Sequence, residues 1–373
     1  MAVSETKVLL DLIQDRLDEF CATQKSDFEQ ISPDLAPVVD YSRDLLRGGK
    51  RFRALFCYWS WVGALSVAEI RQSEQQREAS AEAMVGIAAA LEMFQGAALV
   101  HDDLIDQSDT RRGAPSVHKR FESLHQASGW AGSPERFGTA GSVLVGDLML
   151  GWSSEIFGSA LLQAPAPEIE SACRNEFSKM RVEVMAGQYL DVLEENAANT
   201  RPVEEAVGRA NRVILYKSAK YSIEAPILIG AAFAGASPDL LRGLSAFGIP
   251  LGMAFQLRDD ILGVFGDPSV TGKPAGDDLR EGKRTVLVGL TRESLSPSIG
   301  AIFDEMLASR SLTNEQIGFL QQTISGSGAL AKTERMIEEL ANESMNALSS
   351  INIDPRAKQE LEALAEKVIN RQA

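Results

Sequence analysis

Apolar residues recur at intervals of three and four positions along almost the whole 373-residue chain, and glycine and proline interrupt them. This period is typical of amphipathic α-helices, whereas the alternation typical of β-strands is nearly missing. The pattern predicts helices with short connections over 5–27, 34–46, 52–69, 74–106, 138–159, 167–195, 202–219, 221–235, 238–265, 284–292, 296–309, 313–324, 328–349 and 355–371. We therefore expect an all-α protein, and a single domain over residues 1–373 because no segment reads as a domain linker.

The segment 74–106 is apolar on most sides beyond Ala81. A helix that is apolar all round is normally wrapped by other helices, so this segment is expected to be a central helix. Two glycine-rich connections stand out, over 125–138 and 266–283, and the first has no functional interpretation at this stage.

Composition and charge exclude several classes of protein. Residues are 45% hydrophobic and the formal net charge is -15, which argues against a nucleic-acid partner because binding to phosphate backbones needs a basic face. The three cysteines are widely spaced and form no CxxC pair, so reduced thiols and a cytoplasmic location are expected. The N-terminus lacks the pattern of a secretory signal, and the longest uncharged apolar stretch, about 225–236, is too short to span a membrane.

The segment ALVHDDLIDQSDTRRG (98–113) ends an apolar helix in a cluster of acids followed by two arginines. Asp102 and Asp106 are four positions apart and share a helix face at roughly 6 Å, while Asp103 is turned by about 100°. Negative charge at a helix C-terminus is unfavourable unless a nearby cation compensates it. Carboxylates without histidine or cysteine suit Mg²⁺ shared with substrate phosphates, although a single such motif could also be a solvated acidic helix end.

A second acidic cluster makes the functional interpretation stronger. In MAFQLRDDILGVFGD (253–267), Asp259 and Asp260 again end an apolar helix, and Lys273 and Lys283 follow in a glycine-rich loop. Two acidic helix ends, each followed by basic residues, are what a polyphosphate needs, since metals bridge its oxygens to carboxylates while lysine and arginine neutralise the remaining charge.

An upstream basic segment, GGKRFR (48–53), groups Lys50, Arg51 and Arg53 after a glycine pair. Glycine lets backbone amides approach an anion closely. Taken alone, this segment could equally be an ordinary helix connection with basic residues.

Several ordered motifs between about Tyr41 and Thr285 resemble those of one family. They are GGKRFR, HDDLIDQSDTRRG, GAPSVH, SVLVGDLML, GQYLD, YKSA, FQLRDDILG and GKPAGDDLREGK. The chain is thereby identified as similar to the trans-prenyltransferases, or isoprenyl diphosphate synthases, of the short-chain type that includes geranylgeranyl diphosphate synthases. The resemblance implies a large helical bundle around a central apolar cavity, usually as a homodimer, that joins isopentenyl diphosphate to dimethylallyl, geranyl or farnesyl diphosphate.

The resemblance also implies roles for individual residues. The ligands of a cluster of three Mg²⁺ ions would be Asp102, Asp106 and Asp259, supported by Asp103 and Asp260. The allylic diphosphate would be bound by Arg111, Lys217 and Lys273, with Lys283 as a further phosphate-binding residue. Isopentenyl diphosphate would be bound by Lys50, Arg53, Arg112 and His118. The reacting carbons would be faced by Ser218 and Gln256, in a cavity also lined by Gln188 and Asp191.

Product length is expected to depend on the helix before the first aspartate motif. Ala97 and Ala98 precede Asp102 by five and four positions, where synthases that stop at fifteen carbons often carry a bulky aromatic residue. Phe94 is eight positions before Asp102, about 12 Å down the helix at the standard rise, and a plug there suits a twenty-carbon product. Phe94 could instead be an ordinary core residue, and a farnesyl or longer-chain synthase remains an alternative.

Some positions depart from the family pattern, and rival classes remain to be weighed. Ala54 stands where proline is usual, Ser116 and Ser218 stand where threonine is usual, and Gly263 replaces the last aspartate of the second motif. A terpene cyclase normally carries a different second metal motif. A phosphohydrolase with a His-Asp doublet needs an earlier histidine than His101, the first in the chain. A non-catalytic subunit of a heteromeric synthase is expected to have eroded aspartate motifs.

Overall fold

The computed structural model describes residues 5–68, 73–266, 276–309 and 311–370. Its α-helices are α1 Glu5–Ile31, α2 Ala36–Leu45, α3 Phe52–Leu65, α4 Glu74–Ile105, α5 Val117–Ala127, α6 Pro134–Leu161, α7 Pro167–Ala197, α8 Ala206–Val213, α9 Ala225–Phe233, α10 Pro238–Phe265, α11 Asp277–Glu281, α12 Val286–Ser294, α13 Pro297–Leu307, α14 Asn314–Gly326, α15 Ala329–Ser350 and α16 Pro355–Ile369. The prediction of an all-α protein is confirmed.

Shorter elements complete the order. Three 3₁₀ turns span Pro33–Leu35, Ala198–Thr200 and Val203–Glu205, and an antiparallel pair of two-residue strands joins Thr110–Arg111 (β1) to Ala114–Pro115 (β2). Between α8 and α9 the chain continues without a break as a π-helix, Ile214–Glu224. π-Helices are rare and are frequent at functional sites.

The structure differs from the predicted helices in three regions. The short helix α11, Asp277–Glu281, lies in the segment 266–283, where the pattern predicts a loop. The sequence pattern predicts no helix between 106 and 138, whereas α5 occupies Val117–Ala127 and α6 begins already at Pro134, capped by Ser133. The pattern also predicts a break at residue 220, which lies inside the π-helix.

The chain divides into two compact units, one formed by Met1–Tyr58 with Glu69–Ser171 and the other by Trp59–Ala68 with Ala172–Ala373. The expectation of a single domain over 1–373 stays a prediction.

In the first unit, α4 packs closely against α6. Gly86 and Gly96 on α4 make this possible, because a Cβ atom at Gly86 would lie 3.0 Å from Ala160 Cβ and one at Gly96 would lie 2.4 Å from Met149 Cε. α4 begins with a capping box in which Ser73 Oγ accepts from Gln76 N and Gln76 Oε1 accepts from Ser73 N. The predicted central helix is therefore real, and its side chains from Met84 to Ala97 are largely buried.

In the second unit, α10 is the helix on which the others pack. Gly252 lets the π-helix approach, since a Cβ atom there would lie 2.5 Å from Ala219 Cα. On another side, Arg258 donates two hydrogen bonds of 2.7 Å to the carboxylate of Glu334 on α15. A bidentate pair of this kind fixes the rotation of one helix against the other.

Two helices among the described residues, α4 and α10, are long and apolar enough to cross a membrane by length and composition alone. The most apolar window is 78% buried inside the protein in α4 and 44% buried in α10. Buried core helices satisfy the same criterion, so it is weak evidence for a membrane span.

Candidate active site

The first aspartate motif lies at the C-terminal end of α4. Asp106 is the C-cap residue, and its N–H donates to the carbonyl oxygen of Asp102 at 2.8 Å, so the predicted spacing of one helical turn is kept. Asp102 and Asp106 are partly exposed, whereas the side chain of Asp103 is only 2% exposed. The doublet therefore divides into one accessible and one buried carboxylate.

A tight hairpin places the two arginines that follow. Arg112 and Gly113 have φ values of 54° and 76° and form the turn between β1 and β2. Arg111 points back to α4, where its Nε donates to Asp103 Oδ1 at 2.8 Å, its Nη2 also contacts that oxygen, and Nη2 lies 3.6 Å from Asp102 Oδ2. Arg111 thus stabilises the buried carboxylate.

Arg112 reaches the glycine-rich segment before α3. Its Nη1 donates to the carbonyl oxygens of Leu45 and Arg47, both at 3.2 Å. Its Nη2 lies 2.8 Å from where a Cβ atom of Gly49 would be, so only glycine leaves room for the guanidinium. The structure therefore brings Arg112 together with the segment that holds Lys50 and Arg53, as the expected isopentenyl diphosphate site requires.

The electrostatics of Arg112 show how concentrated the positive charge is. Partial burial is the first cause that lowers its pKa, and the neighbouring cations Arg51, Arg111 and Arg53 lower it further, while Glu92 raises it. Cations held this close repel one another unless anions bind, so the group is suited to a polyphosphate.

Arg51 has a structural role. Its guanidinium, 8% exposed, pairs with the buried carboxylate of Glu92 on α4 at 3.1 Å and donates to Gln14 Oε1 at 2.7 Å. The basic segment thus contains one residue that anchors the loop in the core, and we keep Lys50 and Arg53 as the substrate-binding candidates.

His118 lies in the first turn of α5 and is 5% exposed. Its Nδ1 lies 3.1 Å from the hydroxyl of Ser116, the residue that replaces threonine in the family pattern. Burial, and to a lesser extent the charge of Lys119, lower the pKa of His118, whereas Glu122 and Asp109 raise it. The lowered pKa favours a neutral ring at neutral pH in the unliganded protein.

The second aspartate motif is connected to the π-helix by a chain of hydrogen bonds. Ser218 Oγ donates to Gln256 Oε1 at 2.6 Å, and Gln256 Nε2 donates to Asp260 Oδ1 at 2.8 Å. Asp260 is 4% exposed while Asp259 is partly exposed. Burial raises the pKa of Asp260 well above its usual value, and the charges of Asp278 and Asp259 raise it further.

Gly263, which stands where the family usually has aspartate, is covered by another carboxylate. A Cβ atom at Gly263 would lie 1.9 Å from Oδ2 of Asp278 on α11. Asp278 also lies 3.7 Å from Lys283 Nζ, and the same lysine is 2.7 Å from Glu281 Oε2. A carboxylate is therefore present at this place in space, although it comes from another part of the sequence.

Lys217 lies in the π-helix and pairs with Asp191 of α7, Nζ to Oδ2, at 2.5 Å. The approach depends on Gly187, because a Cβ atom there would lie 2.3 Å from Lys217 N. Gln188 is on the same helix and is partly exposed, and Lys273 lies outside the described residues.

Of the residues expected to set product length, Phe94 is 1% exposed and Ala97 is fully buried, while Ala98 is partly exposed. These exposures are compatible with a tunnel wall and with an ordinary core, so their role stays a prediction.

The connection 125–138, unexplained by the sequence, is closed by aromatic packing. The Trp130 ring lies 5.2 Å from that of Phe137 and 5.9 Å from that of His125, between ring centroids. Phe137 continues the contact to Phe121, which packs on Tyr41 at 4.9 Å. This cluster holds the loop between α5 and α6 against α2.

Sequence reasoning missed three features of these surroundings: the π-helix, the role of Asp278, and the division between Arg51 and its neighbours. A usable signal existed for one of them, because the doublet Asp277-Asp278 follows a motif that lacks its last acid. The other two depend on contacts between distant segments.

The donor set of the aspartate motifs fits Mg²⁺ in its chemistry. Asp102, Asp106 and Asp259 supply only carboxylate oxygens, the ligands that Mg²⁺ prefers. Over the ranges that the structure describes, no three side chains of histidine, cysteine, aspartate or glutamate are close enough to hold a metal ion by themselves.

Comparisons with known proteins give the same family as the motifs. The family model "Polyprenyl synthetase" matches residues 35–324. The geranylgeranyl diphosphate synthase of Sulfolobus acidocaldarius is 30% identical over 290 residues, 77% of this chain and 76% of the relative. The geranylfarnesyl diphosphate synthase of Aeropyrum pernix is 32% identical over 70% of this chain and 72% of its own.

Solved structures extend the similarity over nearly the whole chain. The geranylgeranyl pyrophosphate synthase of Corynebacterium glutamicum, crystallised with isoprenyl diphosphate and magnesium, is 36% identical with a TM-score of 0.89 and covers 98% of this chain and 99% of its own. The chain therefore belongs to the polyprenyl synthetase family and is a trans-prenyltransferase, an enzyme that condenses isopentenyl diphosphate with allylic diphosphates.

Proposed function

We propose that the main product of this enzyme is geranylgeranyl diphosphate, with twenty carbons. The observation that carries the proposal is the sequence of side chains on α4 before Asp102: small residues at Ala97 and Ala98, then Phe94 fully inside the unit at 1% exposure. A growing chain would pass the alanines and stop at the ring. Farnesyl and geranylfarnesyl synthases among the relatives are the alternatives.

The experiment is to size the dephosphorylated products of the purified enzyme, supplied with Mg²⁺, labelled isopentenyl diphosphate and each allylic starter in turn. A dominant twenty-carbon alcohol is expected from the wild type, and longer alcohols from Phe94→Ala. Met84→Ala is the matched control, since Met84 is also fully buried on α4 but lies eighteen positions before Asp102. Unchanged product length in Phe94→Ala removes Phe94 as the stop.

The family and its magnesium-bound relative imply a divalent metal. We propose Asp102, Asp106 and Asp259 as ligands of three Mg²⁺ ions. When bound, Mg²⁺ would neutralise the charge that develops on the departing diphosphate. Asp103, fixed by Arg111, and Asp260, fixed by Gln256, would hold their neighbouring ligands in position.

The protein's own cations would bind the substrates. We assign Arg111, Lys217 and Lys273 to the allylic diphosphate, with Lys283 beside them. Arg111 and Lys217 are each already oriented by a carboxylate, at 2.8 Å and 2.5 Å, which reduces the entropy lost on binding. Lys50, Arg53, Arg112 and His118 are assigned to isopentenyl diphosphate, supported by the contact of Arg112 with Gly49.

The hydroxyl of Ser218 and the amide of Gln256 are assigned to the reacting carbons, where their dipoles would stabilise the allylic cation. Their mutual hydrogen bond of 2.6 Å fixes both orientations. Gln188 and Asp191 on α7 are assigned to the same cavity. The cytoplasmic location stays a prediction.

Exposed apolar side chains support a homodimer as a further proposal. Val182, Met185 and Tyr189 on α7 are 68%, 42% and 67% exposed and share one face of that helix. On α6, Val143 and Leu144 are 41% and 61% exposed. Apolar groups of this size on a monomer surface are typical of protein interfaces. Sedimentation of the purified chain gives the mass, and a monomer would contradict the proposal. A chain that condenses substrates alone also excludes a non-catalytic subunit.

A further inference from the structure

A small pocket in the second unit is lined by residues to which the reaction assigns no role. Its volume is about 40 Å³, enough for a few water molecules or for one tetrahedral oxyanion. The end of α7, the starts of α8 and α12, and α13 form its walls. Its charged and polar lining residues are Glu194, Arg209, Arg284, Thr285, Arg292 and Asp304.

Positive charge exceeds negative charge around this pocket. Its lining contains three arginines and two carboxylates, in a chain whose net charge is -15. The exposed carboxylate of Glu205 also lies 3.5 Å from Arg209 Nη1, and Arg201 pairs with Glu194, so an excess of one positive charge remains when both are counted. The side chains of Arg209 and Arg284 are 6% and 10% exposed, so water can screen them only weakly. A buried surplus of cations is unfavourable unless an anion compensates it.

Each carboxylate of the pocket is already shared by two arginines. Asp304 accepts from Arg284 Nη1 at 2.8 Å and from Arg292 Nε at 2.7 Å. Glu194 accepts from Arg209 Nε at 2.8 Å and from Arg201 Nη1 at 2.6 Å. Every guanidinium carries five N–H groups, so the donors outnumber the carboxylate lone pairs.

One donor remains without an acceptor. Nε of Arg284 is buried and has no hydrogen-bond partner within the part of the chain that the structure describes. Buried N–H groups are nearly always paired with protein, water or a ligand, and an orphaned charged donor is especially unfavourable. An oxyanion in the pocket would supply the acceptor.

The backbone adds to the same preference. α12 starts at Val286 with Thr285 as its N-cap, and α8 starts at Ala206; Thr285 and Ala206 both line the pocket. Helix N-termini carry partial positive charge, which favours phosphates. At these two starts Val288 N–H is capped by Thr285 Oγ1 and Ala206 N–H donates to Val203 O, so the preference comes from the helix dipoles. Two such termini and three arginines thus point to one kind of ligand.

We propose that this pocket binds a phosphate-type oxyanion, at a site separate in sequence from both aspartate motifs. The ligand is free phosphate, free diphosphate, or the terminal phosphate of a prenyl diphosphate, since all three present the same tetrahedral group. The volume admits one tetrahedral group and excludes a prenyl chain from the pocket itself.

The position is tested in crystals of the full-length protein soaked in sodium tungstate. An anomalous peak between Arg284 and Arg292 is expected, and an empty pocket overturns the proposal. Back-soaks with phosphate, diphosphate and geranyl diphosphate identify the source, because the natural ligand displaces the tungstate. A peak that none of them displaces is an adventitious ion only and also counts against the proposal.

The affinity is tested in solution by the rise in Tm on adding phosphate in EDTA, with opposite effects expected from two variants. Arg284→Gln should raise the Kd for phosphate, obtained from the Tm rise, about tenfold, the size typical of one charge-assisted hydrogen bond. Asp304→Asn should lower this Kd several-fold, because the carboxylate that competes for Arg284 and Arg292 is removed. Arg242→Gln, at an arginine of α10 that is 72% exposed, is the matched control and should leave the response unchanged.

A purely structural role for the cluster gives a different result. Arg284→Gln and Asp304→Asn would then both lower the Tm without phosphate, and both would keep the wild-type response to phosphate. That outcome would refute the proposal even if the variants were less stable.

Discussion

The two aspartate doublets look alike in sequence but are stabilised by different means. In Asp102-Asp103 the buried second carboxylate is paired with a charged group, Arg111, at 2.8 Å. In Asp259-Asp260 the buried second carboxylate accepts instead from the neutral amide of Gln256 at 2.8 Å. In both doublets the first carboxylate is the more exposed one.

The comparison teaches that the two positions of a doublet do different work. The first aspartate is accessible, as a proposed metal ligand must be, while the second is buried and needs a partner that fixes it. The partner can be charged or neutral, because it has only to offset the free energy lost when the carboxylate is removed from water. The electrostatic consequence differs, since Arg111 adds a positive charge beside the first doublet and Gln256 adds none beside the second.

The largest expected effect separates the first position from the rest. Asp102→Asn and Asp259→Asn should each lower kcat/KM by about a thousandfold, roughly 4 kcal/mol of transition-state stabilisation, because each removes a proposed metal ligand. Steady-state kinetics at saturating Mg²⁺ give the value. Stability should hardly change for Asp102→Asn, since a helix C-terminus disfavours negative charge. A loss below tenfold would contradict the assignment.

Replacing the second aspartate should reduce the stability of the protein by different amounts in the two doublets. Asp103→Asn leaves Arg111 without its buried counter-charge and should cost about 3 kcal/mol, as breaking buried pairs does. Asp260→Asn keeps an oxygen for Gln256 and should cost below about 1 kcal/mol. Urea unfolding of both variants measures the difference. Equal costs would mean that charge and amide partners are equivalent here.

The third position of the second motif sharpens the comparison further. If Asp278 takes the place of the acid missing at Gly263, then Gly263→Asp and Asp278→Ala should each lower kcat about tenfold. The first crowds two carboxylates, and the second removes the carboxylate that lies where the Gly263 side chain would be. The double variant should recover most of the activity, which a double-mutant cycle detects as strong coupling. If the two losses simply add, Asp278 does not take the place of the acid that is missing at Gly263.

The smallest effect concerns His118. Burial lowers its pKa below 6.5 in the folded state, so the unfolded chain takes up the proton first as pH falls. The free energy of unfolding should therefore decrease as pH falls below about 6.5. His118→Asn should show a shallower decrease between pH 7.5 and 5.5 in chemical denaturation. A steeper decrease in the variant would mean that the folded protein binds the His118 proton more tightly than the unfolded chain does. That result would contradict a neutral His118 ring in the folded state.

The long helices could be predicted from the sequence because their pattern is strong and local. α4 and α10 each repeat the 3.6-residue period for seven turns or more, and each carries an acidic motif in its C-terminal part. α5 could not, because two of its four buried side chains are the histidines His118 and His125, which a hydrophobic pattern does not count. The π-helix could not either, since its shape is coupled to close approaches at Gly187 and Gly252.

The candidate residues could be named from the motifs, but their partners could not. The contact of Arg112 with Gly49 joins segments more than sixty positions apart, and no local rule predicts it. The pairing of Arg51 with Glu92 likewise depends on how α4 packs. Tertiary contacts therefore show which member of a basic group has a structural role, as the pairing of Arg51 does.

The most direct test of the central claim is metal depletion and return. The enzyme is stripped with EDTA, dialysed, and assayed with labelled isopentenyl diphosphate and geranyl diphosphate while Mg²⁺ is added back. The account predicts no elongation without Mg²⁺, full recovery with it in the wild type, and no recovery in Asp102→Asn or Asp259→Asn. Elongation by the stripped enzyme, or recovery by these variants at the wild-type Mg²⁺ concentration, would contradict it.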